Sequence, residues 1–235
     1  MPLKSLIPQS IRDAVAWKMS RKELHAEMKS SEMGQIIHSS FNYRGAGVFK
    51  HIYALQKESE IRALADLVQK TNPKVIVEIG TAKGGTLFVW TRSNPQLELI
   101  VSIDLPGGNF GGGYDSRREK LYQEFVADRP NAKMILMRCD SHSDDTLATL
   151  AKHLAGRKID FLWIDGDHVY DGVKKDFEMY RTLVRPGGLV AFHDIVTKGD
   201  GHAVFQLWDE LKTRFPAQEF VEDRNSEMGI GVLKM

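Results

Sequence analysis

The chain has 235 residues, enough for one domain with a sizeable core. Its 42% hydrophobic and 27% charged residues place it with soluble globular proteins rather than with disordered or membrane chains. The formal net charge of +1 argues against nucleic acid as the main partner, because a phosphate-binding surface brings a basic excess. The single cysteine, Cys139, excludes an intrachain disulfide and a cysteine-based zinc site, and fits a reducing, cytoplasmic setting. No apolar run approaches the ~20 residues that span a bilayer, so no stable membrane insertion is expected. The first residues lack the basic start and apolar stretch of a signal peptide.

Residues 9–30 place Ile11, Val15, Trp17, Met19 and Leu24 among Arg, Lys and Glu. This predicts a mildly basic helix packed on the main domain or on a second subunit, and a homodimer is expected. "FNYRGAGVFKH" (41–51) reads as a loop, in which Tyr43, Arg44 and Lys50 are candidate substrate contacts. "KESEIRALADLVQKTNP" reads as a helix with Ile61, Leu64, Leu67 and Val68 on one face, ended by Pro73.

From residue 74 the pattern changes. "KVIVEIG", "LELIVSIDL", "AKMILMRCD", "KIDFLWIDG" and "GGLVAFHDI" are short, nearly continuous apolar runs, as in strands covered on both faces. Helical patterns separate them, most clearly "VKKDFEMYRTLV" with Val173, Phe177, Tyr180 and Val184 on one side. The alternation predicts an α/β fold with a parallel, doubly wound, Rossmann-like sheet. "AQEFVED" and "MGIGVLKM" add two strands that should pair antiparallel.

Ligands of such sheets bind beyond the carboxyl ends of the strands. Those ends carry Glu78, Asp104, Asp140, Asp165 and Asp194, which predicts an acidic rim around a polar ligand. In "VEIGTAKGGT" the spacing Gly80-x-x-x-Gly84-Gly85 is neither the dinucleotide fingerprint nor a P-loop. Its glycines would let backbone approach a ligand closely. Glu78 suits a cationic or neutral polar group better than a diphosphate. An amino-acid head at the Glu78–Gly80 turn, a ribose at Asp104 and an adenine near Asp140 together describe S-adenosylmethionine. The expected cofactor contacts are Glu78, Gly80, Thr81, Gly84, Gly85, Thr86, Asp104, Asp140, Ser141 and Asp165. A NAD-dependent dehydrogenase competes poorly, since its fingerprint fails.

"VEIGTAKGGT", "SIDL", "RCDS", "WIDGDHVYDGVKKDFEMYRTLVRPGGLVAFHDI" and "MGIGVL" resemble the bacterial class I S-adenosylmethionine-dependent methyltransferases, in the branch of cephalosporin-hydroxylase-like proteins and macrolide-sugar O-methyltransferases. The resemblance covers about residues 50–235. It implies a seven-stranded sheet with the last strand antiparallel in a main domain over 61–235, an N-terminal helical cap over 1–60 that shapes the substrate pocket, and a small-molecule hydroxyl acceptor, with a sugar or glycosylated metabolite as the expected class.

"WIDGDHVYDG" (163–172) fails as an EF-hand, because Tyr170 stands where the loop needs glycine. Asp167 is expected to cap the following helix and Asp171 to favour its positive end. Asp165 and His168 are the expected catalytic pair, with His168 as general base. Carried over from the resemblance, Asp165, His193 and Asp194 would hold a divalent ion (magnesium or manganese) that lowers the acceptor hydroxyl's pKa. Relatives usually place a carboxylate where His193 stands. Magnesium prefers oxygen ligands, whereas imidazole suits manganese, iron or zinc. Transfer without metal, with His168 or His193 as base, and a non-catalytic adenosylmethionine-binding protein are the alternatives. "LPGGNFGGGYDSRR" (105–118) reads as a flap over the adenosine or substrate, and His142 and His202 as ordinary surface or cleft histidines.

Overall fold

The computed structural model describes residues 8–107, 112–199 and 201–235. Among these, β1 (Val75–Ile79), β2 (Leu99–Asp104), β3 (Lys133–Arg138), β4 (Ile159–Ile164), β5 (Val184–His193), β6 (Ala217–Phe220) and β7 (Ile230–Lys234) form one sheet of order β3-β2-β1-β4-β5-β7-β6. β1 runs parallel to β2 and β4, and β5 runs parallel to β4. β7 is antiparallel to both β5 and β6. The expected doubly wound sheet with an antiparallel last strand is the fold that forms.

Side chains alternate across each strand, so the two faces build separate cores. Ile76, Ile100, Phe161, Trp163 and Ala191 face one core. Val77, Val101, Leu162, Val190 and Phe192 face the other. The first core is covered by α1 (Gln9–Glu27), α2 (Met33–Asn42), α3 (Glu58–Lys70), α4 (Gly85–Ser93) and α5 (Glu119–Gln123). The second lies under α6 (Asp144–Leu154), α7 (Tyr170–Tyr180) and α8 (Val204–Leu211). Helix α2 has no counterpart among the predicted elements. In α1, Ala16, Ser20 and Leu24 face inward at four-residue spacing, and Trp17 packs edge-on against Phe49. Ile11, Val15 and Met19 turn outward, at 52%, 56% and 61% exposure.

Two glycines of the β1–α4 turn, Gly84 and Gly85, are required by packing. A Cβ on Gly85 would stand 2.0 Å from the Ala54 nitrogen, and one on Gly84 2.4 Å from the Tyr122 ring. The segment after α2 thus lies directly on the start of α4, where Tyr53 bridges Gly84. Gly80 acts differently. With φ +95° it lets the end of β1 close on the end of β4, where a Cβ would meet the Asp165 carbonyl at 2.0 Å. Asp167 is not the cap of α7. The helix begins at Tyr170 behind Val169, and Asp167 Oδ1 accepts the Val169 N–H at 2.9 Å in a tight turn before it. Asp171 does lie in the first turn.

Glu78 also departs from its expected place. It points into the first core, beside its register partner Ser102, and is 0% exposed. Thr86 Oγ1 donates to its Oε1 at 2.7 Å and Ser102 Oγ to its Oε2 at 2.5 Å. It therefore ties α4 and β2 to β1 instead of lining a cavity. Burial pushes its carboxyl up to about 8, against those two hydroxyl donors. Between the unfolded carboxyl's ~4.3 and about 8, the folded chain holds a proton that the unfolded chain lacks. Stability from this group is full below that window and is lost as pH rises through it, by at most ~1.4 kcal/mol per pH unit. Glu78→Gln, which copies the protonated form, is expected to flatten this dependence. Thermal melts from pH 5 to 8 should show the variant gaining on the wild type as pH rises; parallel curves would reject the assignment.

Candidate active site

The carboxyl ends of β1, β2, β4 and β5 converge at the point where the strand order reverses, β2 lying on one side of β1 and β4 on the other. Two adjoining cavities open there, sharing Gly80, Asp104, Gly112 and Gly166. The larger, of about 380 Å³, has Gly80, Thr81, Thr86 and Asp104 on one side and Asp165, His168, His193 and Asp194 on the other. The smaller, of about 260 Å³, is lined by Asp140, Ser141 and His142 beyond the end of β3. Eight expected site residues thus line the first cavity, and Asp140 and Ser141 the second. Glu78, Gly84 and Gly85 line neither.

Asp104 is held by backbone. Its Oδ2 accepts the N–H groups of Thr81 (3.1 Å) and Ala82 (2.7 Å), and its Oδ1 those of Leu105 (2.8 Å) and Gly113 (3.0 Å). Burial still pushes its carboxyl above the usual range. Both ends of the glycine-rich segment after β2 are therefore pinned to one carboxylate. The centre of the expected flap, 108–111, lies outside the described residues.

The larger cavity ends in a cluster of two carboxylates and two imidazoles. His193 Nδ1 donates to Asp165 Oδ1 at 3.1 Å and lies 3.4 Å from Asp194 Oδ2. His168 Nε2 lies 3.2 Å from Asp194 Oδ2 and 3.8 Å from Asp165 Oδ1. Burial opposes charge on all four, but mutual attraction overrides it. The carboxylates push His168 up to about 9 and His193 up to about 10. The imidazolium groups in turn hold Asp165 below, and Asp194 far below, the usual carboxylate range. At neutral pH the cluster is a closed set of two anions and two cations. Asp194 sits just past β5 with φ +62°, a left-handed conformation rare outside glycine, asparagine and aspartate.

Three contributors have no sequence signal of the kind that marks a strand-end acid. Gln56, from the cap, donates Nε2–H to Asp165 Oδ2 at 2.7 Å, while its Oε1 is buried without a partner among the described residues. Thr197 donates to Asp194 Oδ1 at 2.7 Å. His202, expected to be an ordinary histidine, lines the same cavity with its ring 5.0 Å from that of His168. The glycines around it in "KGDGHA" were the one hint of a turn aimed back at the site. Tyr43, Arg44 and Lys50, the expected substrate contacts, lie elsewhere. Tyr43 is 1% exposed and donates to the Ser20 carbonyl, Arg44 binds the carbonyls of Phe41 and Tyr43, and none of the three lines the cavity.

Asp165, His193 and Asp194 each offer one donor atom within 4.8 Å of the others, as do His168, Asp194 and His202. The buried His193 Nε2 has no partner among the described residues. A mixed imidazole and carboxylate set of this kind fits a divalent transition ion better than magnesium.

Residues 77–195 match a family described as "Methyltransferase domain". An uncharacterized protein of Sinorhizobium fredii is 27% identical over 157 residues, 66% of this chain and 17% of that protein. The chain spans 17% and 50% of the lengths of the two curated relatives it matches. The O-methyltransferase TomG of Streptomyces achromogenes, involved in tomaymycin synthesis and solved with S-adenosylmethionine, is 15% identical, with a TM-score of 0.56 over 94% of this chain and 98% of that one. An O-methyltransferase of Bacillus cereus, solved with S-adenosylhomocysteine, is 18% identical, with a TM-score of 0.52 over 74% of this chain and 79% of that one. With just over half its length inside the family match, the chain belongs to the methyltransferase-domain family.

Proposed function

We propose that the protein is an S-adenosylmethionine-dependent O-methyltransferase acting on a hydroxyl of a small molecule. The observation that carries this is the pair of adjoining cavities that share Gly80, Asp104, Gly112 and Gly166, one reaching Asp140 and Ser141 and the other the Asp165–His168–His193–Asp194 cluster. This arrangement suits adenine at Ser141, ribose at Asp104 and the methionine end along Gly80, Thr81 and Thr86. The cofactor would supply an electrophilic methyl group on a sulfonium.

The chain's own part is alignment and proton removal. The cluster stands at the far end of the cavity, where an acceptor hydroxyl can approach, and His168 takes its proton. An imidazole paired with two carboxylates holds its proton tightly. The positive sulfonium nearby favours the neutral ring that a base requires. Asp165, His193 and Asp194 are suited to hold a divalent transition ion, which would add positive charge beside the acceptor oxygen. The closed pairing of both imidazoles with both carboxylates favours a second reading, transfer without metal. Acceptor choice falls to other residues lining the same cavity, Tyr53, Leu55 and Met228 supplying apolar surface and Lys198, His202 and Glu227 polar groups, which together make a mixed wall. A sugar, with its C–H faces and hydroxyl edges, matches such a wall.

Saturating S-adenosylhomocysteine should raise the melting temperature by about 5–10 °C, and NAD should leave it unchanged. No shift with the former would remove the cofactor assignment. Against a panel of sugar and glycoside hydroxyls with labelled cofactor, His168→Ala should lower turnover ~10²–10⁴-fold while S-adenosylhomocysteine still binds. Turnover near the wild-type level would exclude His168 as base. Treatment with a chelator, followed by manganese or zinc, separates the two readings: activity that falls and returns supports the ion, and activity that never falls supports transfer without it.

A further inference from the structure

The two carboxylates of the cluster are held by one short stretch of chain at the start of α3. Gln56 reaches Asp165 directly, through Nε2–H to Oδ2 at 2.7 Å. Because Asp165 is an anion, its neighbour must be the amide's N–H side, so the orientation of Gln56 is set. Four residues later, Glu60 is 2% exposed and accepts two backbone N–H groups, from Glu222 at 2.9 Å and from Gly229 at 3.0 Å. Lys57 Nζ donates to Ser226 Oγ at 3.1 Å, and Ser59 Oγ donates to Glu222. The start of α3 thus grips the loop between β6 and β7 at several points.

That loop passes the constraint on. Met228 and Gly229 both adopt φ +81°, so the turn bends sharply at Gly229, which Glu60 holds, and at the residue before it. The Met228 N–H donates to Thr197 Oγ1 at 2.7 Å. A backbone N–H can only donate, so the Thr197 hydroxyl accepts here and spends its one proton on Asp194 Oδ1, also at 2.7 Å. The backbones run side by side as well, with Val196 N–H donating to the Met228 carbonyl at 3.0 Å and Ile195 N–H to that of Gly229 at 3.3 Å. With Oδ1 fixed, Asp194 presents Oδ2 to His168 and His193.

We propose that residues 56–60 form a brace that positions both carboxylates of the reaction centre, Asp165 through Gln56, and Asp194 through Glu60, the Met228–Gly229 turn and Thr197. Gln56, Thr197 and Glu60 are positioning residues: they set where the carboxylate oxygens stand, and so where the imidazole N–H groups point. The catalytic meaning of the brace rests on the methyltransferase reading; the bonding itself does not.

The test uses the full chain labelled with ¹⁵N-histidine. Thr197→Val, which removes the hydroxyl at nearly constant volume, should shift the ring N–H signal of His168 more than that of His193. Gln56→Met should shift His193 more than His168. Glu60→Gln, remote from the cavity, should move His168 as Thr197→Val does, and Thr197→Ser should restore the wild-type spectrum. Turnover should fall ~10–100-fold in Thr197→Val while S-adenosylhomocysteine affinity stays within about twofold. Unchanged ring signals in Thr197→Val and Glu60→Gln, or a Thr197→Ser spectrum no closer to wild type, overturn the brace. If Thr197→Val does not fold, Glu60→Gln and Thr197→Ser carry the same decision. Failure of the wild type to bind S-adenosylhomocysteine would instead sink the methyltransferase reading and leave the spectra to judge the brace.

Discussion

Two carboxylates at the ends of neighbouring parallel strands, with little water to solvate them, impose the central constraint on this protein. Asp165 and Asp194 lie side by side because β4 and β5 pair in parallel, so that both chains emerge from the same edge of the sheet. Unopposed, their charges would repel and resist burial. His168 and His193 answer with two imidazolium groups, and Gln56 and Thr197 occupy the oxygens that the imidazoles do not. The same closed arrangement makes the cluster responsive, since any cation or sulfonium brought near it competes with the imidazole protons for the same two carboxylates.

The cap extends this logic beyond the sheet. Tyr53 and Ala54 lie across the β1–α4 turn so closely that Gly85 has no room for a side chain, and the Tyr122 ring closes on Gly84 in the same way. Arg118 fastens this layer through the carbonyls of Val48, His51 and Lys83. The N-terminal helices share a core with α3 and α4 rather than building one of their own. Tyr53, Ala54, Leu55 and Gln56 thus line the cavity together with the strand ends, and the Gln56 amide ties this segment to Asp165.

Burial also separates residues that look alike in the sequence. Glu78, Asp104, Asp140, Asp165 and Asp194 all stand near strand ends, yet they serve different purposes. Glu78 falls on the inward register of β1 and becomes an internal tie; Asp104 organises backbone N–H groups; Asp140 is exposed beside the smaller cavity; and only Asp165 and Asp194 meet the histidines. The expected acidic rim is thus a pair, a backbone anchor, an outlying acid and a buried strut.

The sequence by itself determined the sheet and its strand ends, because apolar periodicity and turn residues are local and survive in a single chain; the partner of each histidine, His168 nearer Asp194 and His193 nearer Asp165, came only with the fold. It also marked His193 as unusual, since an imidazole beside Asp194 changes which ion the donors suit. Only the tertiary structure decided the fate of Glu78, the packing role of Gly84 and Gly85, and the recruitment of Gln56, Thr197, His202 and Glu60. Those roles depend on which face a residue takes in the folded sheet and on contacts such as Gln56 to Asp165, 109 residues apart. No local pattern encodes a hydrogen bond of that reach. It exists only once the cap has closed over the ends of the strands.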